Sequence, residues 1–280
     1  MKTLIFTNTN YSIAYVLYCV LKNQPRVYNF VFDTEYEILT QDPYFSDRIW
    51  SLNDNFVFRE TIENKDSIIL DFDLDYTISR HSDYFNYIVD KLNIDDRFEY
   101  ARLIPFEEEK EKINRLITES NQNNFSNVLF APINLDWADS SFNEQQQAVI
   151  SKELADAVNL IMVQPSDDLS SLSELFYLTE QCDFVISNLD VFHYFAVATN
   201  TPSFLNLNAY EVTSVPKNCY VWDPERNNKF PVISKYFTTE YKKYKGSNYR
   251  LLQYNPNELL SEILKSLNAS NIPYRCNTNQ

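Results

Sequence analysis

Residues 182–202, Cys-Asp-Phe-Val-Ile-Ser-Asn-Leu-Asp-Val-Phe-His-Tyr-Phe-Ala-Val-Ala-Thr-Asn-Thr-Pro, gather polar groups suited to holding an anionic ligand. Asn188 and Asp190 offer hydrogen-bonding groups. His193, one of 2 histidines in the chain, can donate to a phosphate or carry a proton near neutral pH. The pattern predicts a buried strand over Phe184–Ser187, a polar turn from Asn188 to Asp190, and a helix to Thr199. A further strand is expected after Pro202. In open α/β sheets, ligands bind outside the carboxyl ends of the strands, where helix N-termini aim free N–H groups at anions. Asn188, Asp190 and His193 therefore stand where a nucleotide or sugar phosphate would be held. Taken alone, a histidine among aromatic residues on a helix is more often a packing residue than a ligand.

A second set of chemical groups follows the predicted strand Ser67–Phe72. Asp71, Asp73 and Asp75 alternate along the chain. A carboxylate facing a closed cleft has its pKa raised by burial into the range of a general base. The same alternation equally suits aspartates opposite a buried face that cap the next element.

The elements that must position these groups follow a βαβ rhythm. Strands are expected at Lys2–Thr7, Val27–Phe32, Arg48–Leu52 and Ser67–Phe72, with helices at Tyr11–Lys22 and Asp83–Leu92. Pro105 introduces a charged helix, Phe106–Ser120, whose first turn carries Glu107, Glu108 and Glu109, where the macrodipole favours anions. The rhythm then restarts with strands Asn127–Phe130 and Asn159–Val163 and helices Asn143–Asp156 and Ser171–Glu180. A closing helix is expected at Asn257–Leu267. The fold class is α/β, with two Rossmann-like domains, 1–122 and 123–280, facing across a cleft.

With 280 residues, 44% hydrophobic and 15% aromatic, the chain has ample material for packed cores. Gly246 is the only glycine, which excludes a P-loop and a G-x-G-x-x-G turn. Asparagine takes over turn positions, including Asn124 and Asn200, because it enters the left-handed region most readily after glycine. A net charge of −15 argues against nucleic acid and against anionic membrane surfaces. Cys19, Cys182, Cys219 and Cys276 are widely spaced, which suits reduced thiols in a cytoplasmic protein. The N-terminal apolar runs are too short to span a bilayer and are broken by Thr7–Asn10.

Residues 171–202 resemble the donor-binding segment of the family 9 glycosyltransferases, the ADP-heptose heptosyltransferases and their relatives. That family continues D-T-G-x-x-H-L-A-A-A-L-G-T-P after its strand. Here the histidine and proline are His193 and Pro202, with one extra residue between them. The family's aspartate falls on Asn188, its small second residue on Leu189 and its glycine on Asp190. Val128 to Pro132, followed by Trp137, resembles the opening of the family's nucleotide-binding domain, without the glycine after the proline. Pro105–Glu109, Asp66–Asp73 and His81–Phe85 resemble further family segments in the same order. The resemblance implies an inverting, metal-independent transferase of GT-B type. Donor-binding roles fall on Pro132, Asn188, Asp190 and His193. It implies a nucleotide-diphosphate sugar as donor substrate, no cofactor, and a glycan or protein acceptor. The charge makes a phosphate-rich acceptor unfavourable.

One departure bears on chemistry. The family's aspartate base after the first strand has no counterpart in Thr7–Ile13, so Asp73 and Asp75 are the nearest candidates for the catalytic base. A binding protein that kept the fold and lost the base is the alternative. Leu70–Thr77 also resembles the D-x-D-x-T loop of haloacid-dehalogenase phosphatases, in which Asp73 would be the nucleophile and Asp75 the acid/base. That family's downstream lysine and acidic pair are missing, since no lysine lies between Lys152 and Lys217.

Overall fold

A computed structural model describes residues 2–7, 11–22, 28–32, 49–51, 67–71, 91–93, 101–132, 142, 144–163, 171–187, 190–206, 219–223, 228–232 and 256–273. The chain divides into two units, Met1–Ile104 and Pro105–Gln280.

In the first unit, β1 (Lys2–Thr7), β2 (Tyr28–Phe32), β3 (Ile49–Ser51) and β4 (Ser67–Asp71) form a parallel sheet in the order β3-β2-β1-β4. Helix α1 (Tyr11–Lys22) follows β1, and residues 14–21 are all buried, as befits a helix apolar on every side. Lys22, in its last turn, donates to the Tyr18 hydroxyl at 2.7 Å, where the macrodipole favours a cation. The sheet order reverses between β1 and β4, whose carboxyl ends meet at the register pair Thr7 and Asp71. β4 ends the sheet among the described strands, with Leu70 buried and Ile69 59% exposed. Among the described strands its hydrogen-bonded neighbour is β1 alone, and successive side chains face opposite ways. Of the helix expected at Asp83–Leu92, only Lys91 and Leu92 fall within the described residues.

The second unit holds α2 (Glu107–Ser120), β5 (Asn127–Ala131), α3 (Glu144–Ala155), β6 (Asn159–Met162), α4 (Leu172–Glu180), β7 (Phe184–Ser187), α5 (Asp190–Thr199), β8 (Ser203–Asn206), β9 (Cys219–Asp223), β10 (Asn228–Val232) and α6 (Pro256–Ala269). Its sheet runs β10-β9-β8-β7-β5-β6, parallel except for the β9–β10 pair. Pro231 lies in β10, an edge strand where its missing N–H is tolerated. Val128, Phe130, Phe184, Ile186 and Phe204 of the sheet form one buried core with Ile150 and Leu154 of α3 and Leu259, Ile263 and Leu267 of α6. Phe142 closes it edge-on to Phe130, with ring centroids 5.2 Å apart.

The units divide at 104/105, whereas the sequence suggests 122/123. Ala101 is fastened back to α1, accepting from the Tyr15 hydroxyl at 2.8 Å and donating its N–H to Cys19 Sγ at 3.3 Å. Helix α2 instead docks on α4, where Lys112 pairs with the buried Glu174 at 2.7 Å. At the amino ends of β5, β6 and β7, Asn127 Oδ1 accepts from Asn121 and Asn159, each at 2.9 Å. The Asn127 N–H donates to Asp183 Oδ2 at 2.8 Å. This polar lattice aligns the strand starts, on the edge opposite their carboxyl ends.

Asn93, Asn124, Asn200 and Asn271 have φ values of 49°, 51°, 62° and 56° and are the described residues with positive φ. Cys19 and Cys182 are free and buried. Burial pushes the Cys19 thiol up to about 12. Cys219 lies in β9, and Cys276 is outside the described residues. Among the described residues, no helix is long and apolar enough to cross a membrane.

Candidate functional site

The order β6-β5-β7-β8-β9 places the first strand of this unit between the second and the third. Right-handed crossovers from β5 to β6 and from β6 to β7 then cover opposite faces of the sheet. Accordingly α3 packs with α6, and α4 packs with α5 and α2. The carboxyl ends of β5 and β7 thus mark a topological switch point, the place where open α/β sheets bind ligands.

Register pairs Ala131 with Ser187 at that point. Pro132 follows Ala131 and is buried. Ser187 is 0% exposed and donates its hydroxyl to the Ala131 carbonyl at 3.1 Å. Asp190 begins α5 and His193 completes its first turn. Pro132, Asp190 and His193 thus come from the two chain segments that flank the switch point. Asn188 lies between β7 and α5, outside the described residues. Asp73 and Asp75 also lie outside them, beyond the end of β4.

Helix α5 is held from behind by α4. Phe195 stands edge-on to Phe176, with centroids 5.3 Å apart, and near Phe192 at 6.2 Å. Beyond Asn200, the Thr201 hydroxyl bonds to that of Thr199 at 2.8 Å. At the start of the segment, burial pushes the Cys182 thiol up, and the adjacent Asp183 charge adds to the effect. Both exclude this cysteine as a thiolate nucleophile.

The N-terminus of α4 already holds an anion. Ser171 caps it by accepting the Glu174 N–H at 3.0 Å. The Glu109 carboxylate, reaching across from α2, accepts from Ser171 at 2.6 Å and from Ser173 at 2.8 Å. Glu109 also accepts the Phe106 N–H at 2.8 Å, capping its own helix. Among the described residues, no group of three or more His, Cys, Asp or Glu is placed to hold a metal ion.

No protein-family model matches the chain, and no curated protein matches it. Solved structures do. A family 9 glycosyltransferase from Veillonella parvula is 12% identical, with 96% of this chain covering 98% of that one at a TM-score of 0.58. The Escherichia coli ADP-heptose LPS heptosyltransferase II is 12% identical, with 97% of this chain covering 100% of that one at a TM-score of 0.59. The fold is that of the family 9 glycosyltransferases. TibC, an iron-containing dodecameric glycosyltransferase of enterotoxigenic E. coli, is also similar, with 12% identity, coverage of 96% and 77%, and a TM-score of 0.54. These structures carry the fold and lend no support to the phosphatase suggested by Asp73 and Asp75.

Within the family 9 fold, residues 184–206 form the strand, helix and strand expected of them. Two features of the site are not foreseen from sequence. Ser187 reads as the last residue of a strand, and its bond to Ala131 depends on strand register. Glu109 reads as one of three acids complementing a helix dipole, whereas its hydroxyl partners lie more than 60 residues away.

Proposed function

We propose that the chain is a glycosyltransferase that binds a nucleotide-diphosphate sugar at the β5–β7 switch point of the second unit. The observation that carries the proposal is the convergence of Pro132 and the first turn of α5 at that point, in a fold shared with known glycosyltransferases. Helix α5 offers N-terminal N–H groups to the diphosphate, and His193 in the same turn adds a donor. The first unit takes the acceptor. Because E. coli heptosyltransferase II is an ADP-heptose enzyme and TibC has been solved with ADP-D-beta-D-heptose, that sugar is the first donor to test.

The reaction is inverting and requires no metal or cofactor. The acceptor hydroxyl oxygen attacks the anomeric carbon from the face opposite the diphosphate, and its proton passes to a carboxylate, Asp73 or Asp75. The bond between the anomeric carbon and the diphosphate breaks, and the leaving oxygen keeps the electron pair. Stabilising that developing charge falls to α5 and His193, and holding both substrates in line supplies much of the rate. A cytoplasmic location is part of the proposal, in keeping with the reduced state assigned to the cysteines.

The test is release of nucleoside diphosphate from a panel of nucleotide sugars, with and without glycan acceptors. Wild type is expected to turn over at least one donor, and His193→Ala and Asp73→Asn to lose most of that rate. Full activity in both variants would show the site assignment to be wrong. A second reading is favoured by the absence of any carboxylate from Thr7 to Ile13. In that case the chain binds nucleotide sugars without transferring them, and wild type binds a donor yet releases no diphosphate.

A further inference from the structure

We propose that Ser187 is a positioning residue of the donor site, whose hydroxyl ties together the ends of β5 and β7, from which Pro132 and α5 follow, and so governs donor affinity. The proposal rests on the donor assignment above. Backbone carbonyls alternate in direction along a strand, so Phe130 and Ala131 point theirs to opposite neighbours. The Phe130 carbonyl accepts the Val163 N–H at 3.0 Å on the β6 side. The Ala131 carbonyl, on the β7 side, accepts the Ser187 hydroxyl at 3.1 Å.

This bond sits at the last rung of the pairing, since β5 ends at Ala131 and β7 at Ser187. Both residues are 0% exposed, and a buried carbonyl needs a partner. Pro132 follows β5 directly, and α5 begins at Asp190, three residues after Ser187. The Ser187 hydroxyl is therefore a cross-strand tie at the fork where the two binding segments part. Without it, Pro132 and the first turn of α5 lose a shared reference, and a diphosphate spanning them loses its fit.

The test is calorimetric titration of the full chain with a panel of nucleoside-diphosphate sugars that includes ADP-D-beta-D-heptose. Four variants are compared with wild type. Ser187→Ala removes the tie, and Ser187→Thr restores a hydroxyl. Ser187→Cys keeps the volume with a weaker donor. Thr179→Val removes a buried hydroxyl that serves the Leu175 carbonyl within α4. We expect Ser187→Ala to raise the donor Kd about tenfold, which corresponds to about 1.4 kcal/mol. Ser187→Thr should return donor affinity close to wild type, because it keeps the donating hydroxyl, and Thr179→Val should leave affinity unchanged. Ser187→Cys should weaken binding several-fold, and it decides the matter if the alanine variant fails to fold. Wild-type affinity in Ser187→Ala, or in Ser187→Cys where the alanine variant is unfolded, overturns the proposal and leaves the donor site standing. Equal weakening in all four variants also overturns it, since general loosening would then suffice. No binding by wild type across the panel removes the donor site and this role together.

Discussion

Replacing Glu109 with alanine tests how the second unit is assembled. One carboxylate accepts three donors, the Phe106 N–H and the hydroxyls of Ser171 and Ser173. Hydrogen bonds to a charged group contribute about 1.5–3 kcal/mol each in isolation. They are not additive at a single carboxylate, and Glu109 is only half-buried, so water replaces part of what is lost. Ser173 is fully buried and would be left to its 3.0 Å contact with Ser171. The expected cost is about 2 kcal/mol, toward the lower end of these ranges. Native-state hydrogen exchange of the full chain reads it directly. Amides of α2 whose exchange follows opening of the α2–α4 contact should exchange about thirtyfold faster, because each 1.4 kcal/mol is a factor of ten. Amides of α1, in the other unit, should be unaffected. Ser173→Ala should cost less, and the double variant less than the sum, leaving a coupling of about 1 kcal/mol. Unchanged exchange in α2, or additive single effects, would refute the docking of α2 through Glu109.

Two further outcomes follow from the backbone and from burial. Asn200, at φ 62° after α5, should accept glycine within a few tenths of a kcal/mol, whereas Asn200→Ala should cost about 1 kcal/mol in urea unfolding. Equal stabilities for the two variants would contradict the left-handed assignment. Cys19 stays protonated in the fold up to about 12, against an ordinary value of 9.0. The unfolded chain therefore loses this proton first, so the contribution is complete below about pH 9 and is lost as pH rises toward 12, by up to about 1.4 kcal/mol per pH unit. Cys19→Ala should flatten that decline in stability, and an identical slope in the variant would refute the assignment.

Much of the order of elements is legible in the sequence because it depends on local periodicity. Helix α1 spans the predicted Tyr11–Lys22, and β7 spans the predicted Phe184–Ser187. The turn chemistry of Asn124 and Asn200 is likewise local, since no glycine competes for those positions. What escapes is set by distant partners. β9 and β10 lack a clear signal, since Asn227 and Asn228 read as a turn and Pro231 argues against a strand until its edge position is known. The place of β4 at the end of its sheet and the division at 104/105 follow from pairings between residues far apart in sequence. At the site, periodicity suffices to place Asp190 and His193 in the first turn of α5 and Pro132 after β5. The tie between Ser187 and Ala131 needs the register of two strands, which no local pattern encodes. Asn188, Asp73 and Asp75 fall outside the described residues, so their roles rest on the sequence.

The central claim is that a nucleotide-diphosphate sugar is held where β5 and β7 part. Hydrogen exchange with and without a saturating nucleotide sugar tests it most directly. Protection concentrated at the amides of Ala131 and of residues 190–193 is the predicted result. Protection at the start of α4 instead, where Glu109 already occupies the helix terminus, or no protection anywhere in the second unit, would contradict the claim.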